Sequence, residues 1–218
     1  MKKIETPAQA VSHIHDGAVI MVGGFMCCGQ PIRLTEALLA QGTKDLTVIT
    51  NDAGFPNRGL GKLVVAGRVK RLIASHIGLN PAAGQKMNSG EMAVELVPQG
   101  TLAERIRCAG AGLGGVLTPT GLGTEAETGK RKLEVDGHKY LLETPLKADF
   151  ALVKASVCDR CGNAFVAKAG KNFNPVMAMA AQHTIAEADR LVLRGELDPE
   201  RVTIPGVFIN TVAVEAAR

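Results

Sequence analysis

Short apolar runs, each stopped by Gly, Asn or Pro, alternate along the chain with segments whose apolar residues recur at helical spacing. Thr6-Pro7 opens a short helix with Ala10, Val11 and Ile14 on one face. A strand over 18–23 is followed by a helix over 31–41 that Gly42 closes. Leu46 to Thr50 predicts a second strand, 60–66 a helix and 71–75 a third strand. Val94 to Val97 predicts another strand. Thr101 to Ala109 reads as a helix with Thr101 and Glu104 as its capping box. Residues 132–135 and 138–143 flank Asp136-Gly137, a strong hairpin turn. Phe150 to Lys154 predicts a buried strand, 175–181 a helix, and 191–193 and 207–214 late strands. Strands alternating with helices imply an α/β fold: an open, mostly parallel sheet covered by helices on both faces, plus a β-hairpin. No repeat or low-complexity linker divides residues 1–218, so a single domain is expected.

Composition narrows the function classes. A hydrophobic fraction of 46% with 21% charged residues fits a globular protein rather than a disordered one. Aromatics are 3%, too few to build base-stacking platforms, so nucleic acid is not an expected partner. The longest apolar run, Ala18–Cys28, contains two glycines and is too short to span a bilayer, so no membrane partner is expected. Lys2 and Lys3 are followed by no apolar core, so no secretory signal is read and a cytoplasmic location is the expectation. The net charge of +4 would suit a polyanionic ligand without arguing for one.

The stretch from Asp16 to Pro31, DGAVIMVGGFMCCGQP, is where chemistry concentrates. A strand, a glycine-bounded loop and a helix N-terminus together can hold an anion, because free N–H groups and the helix dipole both favour negative charge. Gly24 and Gly29 have Walker A spacing, but Gln30 and Pro31 stand where Lys and Ser/Thr are needed. Gly110, Gly112 and Gly115 do satisfy G-x-G-x-x-G. That pattern must follow a strand and open a helix, whereas here it follows a helix, so no NAD site is read. Five cysteines without a signal argue for reduced thiols. Cys158 and Cys161 have zinc-ligand spacing but lack a second pair, so no metal is expected. Cys27 and Cys28 lie in the glycine loop, where a nucleophilic role would need a base that the sequence does not place nearby.

Asp-Gly, two variable residues, three apolar residues, Gly-Gly-Phe, three variable residues, Gly, one variable residue and Pro resembles the N-terminal motif of the two-component (family I) coenzyme A transferases. Asp16, Gly17, Ile20–Val22, Gly23, Gly24, Phe25, Gly29 and Pro31 all fit it. Further similar segments are ITNDAG around Asn51, VPQGTLAERIR at 97–107, GAGLGGVLTPTGLG at 110–123, ADFALVKA at 148–155 and NFNP at 172–175. The chain looks most like the alpha subunit of bacterial acetate/acetoacetate-type enzymes.

The resemblance implies three candidate sites. Asn51 ends a predicted strand; from the residues alone an Asx-turn is the favoured reading, and the resemblance reverses this, implying that Asn51 donates to an oxyanion on a thioester carbonyl. Gln99 would lie beside the catalytic carboxylate, with an exposed loop amide as its plain alternative. The loop Gly23, Gly24, Phe25, Met26, Cys27, Cys28 and Gly29 would face the ligand, or simply pack a strand to a helix. In this family a glutamate attacks acyl-CoA and becomes a glutamyl-CoA thioester. It belongs to a Ser-Glu-Asn-Gly segment of a second component, and no such segment occurs here. The implied protein is therefore half of an enzyme, in an α2β2 or higher hetero-oligomer with a beta subunit. Coenzyme A or acyl-CoA is its substrate, and no cofactor is permanently bound. A 3-oxoacid such as 3-oxoadipate competes with acetate, acetoacetate and butyrate as substrate. A non-catalytic ligand-binding domain of related fold is the reading from another class.

Overall fold

The computed structural model describes residues 1–215. In chain order the elements begin β1 (Lys3–Glu5), α1 (Pro7–Val11), β2 (Val19–Val22), α2 (Ile32–Gln41), β3 (Leu46–Thr50), α3 (Leu60–Val65) and β4 (Val69–Ala74). They continue as α4 (Pro81–Ser89), β5 (Ala93–Leu96), α5 (Gln99–Gly110), β6 (Val116–Thr118), β7 (Arg131–Val135) and β8 (His138–Glu143). The chain then forms β9 (Ala148–Asp159), β10 (Ala164–Phe165), α6 (Asn174–Ala178), β11 (Ala181–Val192) and β12 (Thr211–Ala213).

One sheet runs β1-β12-β11-β9-β2-β3-β4-β5 with every neighbour parallel, and β10 adds to β9 antiparallel. Alternate residues of its strands feed two cores, as the two-residue period of a pleated strand requires. Ile20, Val22, Val48 and Leu72 pack under α1 to α4, whereas Met21, Ile49 and Ile73 pack with Leu102 and Ile106 of α5 and Met177 of α6. The α/β expectation holds, with helices on both faces. The hairpin also holds, since Asp136 (φ 51°) and Gly137 (φ 74°) form a turn with two positive φ angles. It belongs to a larger unit, a β6-β8-β7 antiparallel sheet, because β6 adds to β8 from a distant part of the chain.

Several element boundaries differ from expectation for identifiable reasons. The capping box at Thr101 is absent: α5 begins at Gln99 behind Pro98, Thr101 sits inside the first turn, and Glu104 pairs with Arg107 at 2.9 Å. Strands β9 and β11 each span 12 residues. The start of β11 was hidden because Gln182, His183 and Thr184 break the apolar run. Tertiary partners absorb two of them: His183 Nε2 meets Thr211 Oγ1 at 3.0 Å, and Thr184 Oγ1 donates to Ala178 O at 2.9 Å. The helix expected to reach residue 181 ends at Ala178, and 207–214 contributes only Thr211–Ala213 as strand. Helix α4 was missed because only Ala83 of it is buried, leaving no apolar periodicity to read. The third strand ends at Ala74, one residue short of the expected Ser75.

Candidate active site at the strand ends

Strands β2, β3, β4 and β5 lie side by side and parallel, so their carboxyl ends meet along one edge. The connections from β2 run toward β3, while those from β9 run toward β11 on the opposite side. The ends of β2 and β9 therefore flank a topological switch point, where open α/β sheets hold ligands. Gly23, Asn51, Ser75 and Gln99 follow the four strands in turn.

Asn51 and Gln99, far apart in sequence, come together through Ser75. Ser75 N donates to Asn51 O (3.0 Å), and Ser75 Oγ lies 2.9 Å from Asn51 O and 3.1 Å from Asn51 Oδ1. The same hydroxyl is hydrogen-bonded to Gln99 Oε1. Asn51 is 2% exposed, so its amide plane is fixed by packing as well as by Ser75. With Oδ1 turned to Ser75, Nδ2 has no hydrogen-bond partner among the described residues. This arrangement presents a rigid amide donor at a strand end. Ser75 gave no signal in the sequence, where it read as the last residue of a strand.

The glycine loop is built as a tight turn. Phe25 N donates to Cys28 O (3.0 Å) and Cys28 N to Phe25 O (2.7 Å), with Met26 (φ 48°) and Cys27 (φ 64°) both left-handed. Two successive non-glycine residues in that region are strained, and neighbouring elements hold them. The buried Asp52 carboxylate accepts from Met26 N (2.9 Å) and from Gly54 N (2.8 Å), tying the tip to the end of β3. Asn174, fully buried, donates from Nδ2 to Gly29 O (2.9 Å) and Gly170 O (2.7 Å), and its Oδ1 accepts from Lys154 N (2.8 Å). Asn172 Nδ2 reaches Cys28 O at 3.1 Å. The NFNP segment is thus the clamp of the loop. A Cβ on Gly23 would overlap Asn174 Oδ1, and one on Gly29 (φ 73°) would stand 2.7 Å from Gly170 Cα. These two glycines are required by close approach. The clamp leaves Phe25, Met26 and Cys28 exposed at the tip, with Cys27 half-buried.

The N-terminus of α2 differs from the expected anion site. Glu187 of β11 occupies it: Glu187 Oε2 accepts from Leu34 N at 2.9 Å, and Oε1 lies 3.3 Å from Arg33 Nε and 2.9 Å from Lys154 Nζ. A protein carboxylate therefore already satisfies the first-turn donor that a bound phosphate would use. Asp189 pairs with the same two cations. A cavity of about 380 Å³ opens there, lined by Cys27, Gly29, Arg33, Arg58 and Lys154 among others. The paired charges come from three separate elements, which is why the sequence did not show them.

The remaining sequence candidates find structural roles. Burial, followed by the nearby Asp159 charge, pushes the Cys158 thiol up to about 12, so it stays protonated at neutral pH. Asp159 accepts from Cys161 N (2.8 Å), Asn163 N (2.9 Å) and Asn163 Nδ2 (2.9 Å), making the Cys158–Asn163 turn a carboxylate-centred loop. Among the described residues no three His, Cys, Asp or Glu side chains converge to hold a metal, and no helix is long and apolar enough to cross a membrane. Gly110 ends α5 against Met179 and Gly115 passes over Glu143 O, while Gly112 takes a left-handed turn (φ 70°) with nothing packed on it.

Residues 4–215 match the family described as Coenzyme A transferase. The chain is 54% identical over 212 residues to the acetate CoA-transferase subunit alpha of Escherichia coli K12, covering 97% of this chain and 96% of that protein. It is 52% identical over 206 residues to the acetoacetyl-CoA:acetate/butyrate CoA transferase alpha subunit of Clostridium acetobutylicum, covering 94% of each. In fold it is similar to an acyl-CoA transferase of E. coli O157:H7 solved as a thioester complex with CoA. The TM-score is 0.84 at 23% identity, over 98% of this chain and 47% of that one, so this chain spans about half of that protein's length. The motif at the glycine loop, the matched family and the extent of the identity agree: the chain belongs to the coenzyme A transferase family.

Proposed function

We propose that this chain is the alpha subunit of a two-component enzyme that moves CoA between short-chain carboxylic acids of the acetate, acetoacetate and butyrate type. The observation that carries the reading is the unengaged Asn51 amide, held beside a Ser75 hydroxyl that also contacts Gln99. A thioester carbonyl placed there gains a donor aimed at the oxygen that becomes negative when a nucleophile attacks. The nucleophile is a glutamate of a beta subunit. Its carboxylate attacks the acyl-CoA carbonyl and expels CoA thiolate, leaving a mixed anhydride. The thiolate then attacks the glutamyl carbonyl, releasing the acid and forming a glutamyl-CoA thioester. The acceptor acid runs the same steps in reverse. Gln99 lies beside that glutamate, and the loop Gly23–Gly29 faces the acyl-CoA. The working form is an α2β2 or higher hetero-oligomer in the cytoplasm, with no permanently bound cofactor.

The test is to purify the two chains separately and assay acetyl-CoA to acetoacetate transfer alone and mixed. Activity is expected only on mixing. Incubation of the complex with acyl-CoA and no acceptor should place a CoA thioester on one glutamate of the partner, read by mass spectrometry of the separated chains. Transfer by this chain alone, or a label on its Glu91, Glu143, Cys27 or Cys28, would overturn the reading.

A further inference from the structure

The register of the parallel strands sets three polar residues side by side. Ile49 of β3 is the partner of Ile73 of β4, so two residues further on Asn51 and Ser75 stand opposite each other on the same face. Pairing continues past the strands. Ser75 N donates to Asn51 O (3.0 Å), Ala53 N donates to His76 O (3.1 Å), and Asp52 and His76 form a parallel bridge. On the other side Val97 N donates to Ala74 O (2.9 Å), which brings Gln99 beside Ser75. The backbone around Ser75 is thereby held from both neighbouring strands.

A serine hydroxyl has one proton to give. Three oxygens lie within its reach: Asn51 O (2.9 Å), Asn51 Oδ1 (3.1 Å) and Gln99 Oε1. Asn51 O is already served by Ser75 N, so the contest lies between the two side-chain amides. Asn51 is buried and its Oδ1 has no other donor among the described residues, whereas Gln99 is exposed and can be served by water. A buried acceptor left without a donor is the costlier of the two. Asn51 Nδ2 is unpartnered as well, yet it is not one of the fully enclosed orphan atoms, so it opens to the surface.

We propose that Ser75 is a positioning residue for the reaction: its hydroxyl alternates between Gln99 Oε1 and Asn51 Oδ1, and turns to Asn51 as negative charge builds on the thioester oxygen. The inference rests on the CoA-transferase reading above and deepens it by naming a residue that acts through the oxyanion donor. An amide nitrogen that donates to an oxyanion leaves more negative charge on its own oxygen, so the bond from Ser75 Oγ to Asn51 Oδ1 strengthens at the same moment. Gln99 then turns its oxygen to water. The proton stays on Ser75 throughout, and Ser75 makes no bond to the substrate. Because the gain comes with the developing charge, it lowers the barrier and leaves ground-state binding unchanged.

The test uses the reconstituted two-chain complex and acetyl-CoA to acetoacetate transfer. Ser75→Ala should lower kcat by about tenfold, as expected for one such hydrogen bond, with KM unchanged and the two chains still co-purifying. Ser75→Thr, which keeps the hydroxyl, should recover most of that rate. The deciding measurement is the double variant. In an Asn51→Ala background Ser75→Ala should cost no more than about twofold, because the amide through which it acts is gone. A residue that merely supported the fold would cost the same in both backgrounds. Parent-like kcat in Ser75→Ala, a Ser75→Thr variant as slow as Ser75→Ala, or an undiminished loss in the Asn51→Ala background overturns the inference and leaves the transferase reading intact. A parent complex that transfers no CoA overturns both.

Discussion

Asn51 is the side chain on which the proposed chemistry depends most directly. At a strand end, an asparagine by itself serves equally well as a turn residue. In the structure Asn51 Oδ1 lies 3.1 Å from the Ser75 hydroxyl, while Nδ2 has no hydrogen-bond partner among the described residues. Loss of one oxyanion donor costs about 10²–10³ in turnover. Asn51→Ala should therefore lower kcat of the assembled complex by that amount, with co-purification of the two chains unchanged. Near-normal kcat in that variant would remove Asn51 from the reaction. Asn174 is the structural counterpart: its three hydrogen bonds join β9, the loop and Gly170, and only its place in the NFNP segment marked it in the sequence.

At the scale of elements, the Gly23–Gly29 loop shows strain held by its surroundings. Met26 and Cys27 occupy a backbone region that costs roughly 1–2 kcal/mol per ordinary residue, and Asp52 and the NFNP clamp over-determine it. Glycine takes the same conformation freely but loses more entropy on folding, so part of the gain cancels. Cys27→Gly should raise stability by about 0.5–1 kcal/mol, visible as a higher urea midpoint at unchanged slope. A lower midpoint would mean that the Cys27 side chain contributes packing that outweighs its backbone cost. The same element scale explains why α2, which looked like an anion site, is closed: its first-turn donor is met by Glu187, 153 residues away along the chain.

For the whole molecule, one ion network joins the two sheets. Glu95 on β5 pairs with Arg71 on β4 (2.7 Å) and Arg105 on α5 (2.8 Å). Arg105 also donates to Thr144 O (2.8 Å) and approaches Glu143 of β8 at 3.8 Å, where Lys130 closes the chain at 2.6 Å. Burial alone would raise the Glu95 carboxyl, but hydrogen bonds and charge from Arg105 and Arg71 outweigh it and hold the group below its ordinary range. A depressed folded value means that the unfolded chain binds the proton more readily. The network's contribution is thus present above the unfolded carboxylate range near pH 4.3 and is lost as pH falls through the lower folded value. Glu95→Gln should flatten the acid limb of the stability curve below about pH 4.5, measured by urea unfolding at a series of pH values. An acid limb identical to the parent's would show that other carboxylates carry it.

The sequence by itself determined the α/β class, the strand–loop–helix at Asp16–Pro31, the hairpin at Asp136-Gly137 and the family, because these are written in local periodicity, turn chemistry and motif spacing. It also marked Asn51 and Gln99 as site candidates. It did not determine that Ser75 joins them, that Asn174 clamps the loop, or that Glu187 fills the α2 terminus. It misplaced the start of α5 as well, since Pro98 opens the helix where Thr101 looked like the cap. Local preference is a fraction of a kcal/mol per residue, whereas a buried polar atom left without a partner costs about 1–3 kcal/mol. Wherever the two disagree, the partner brought in by the parallel sheet decides. Those partners lie 24 residues away for Asn51 and Ser75, and 145 for Gly29 and Asn174. Only the tertiary structure brings them within reach.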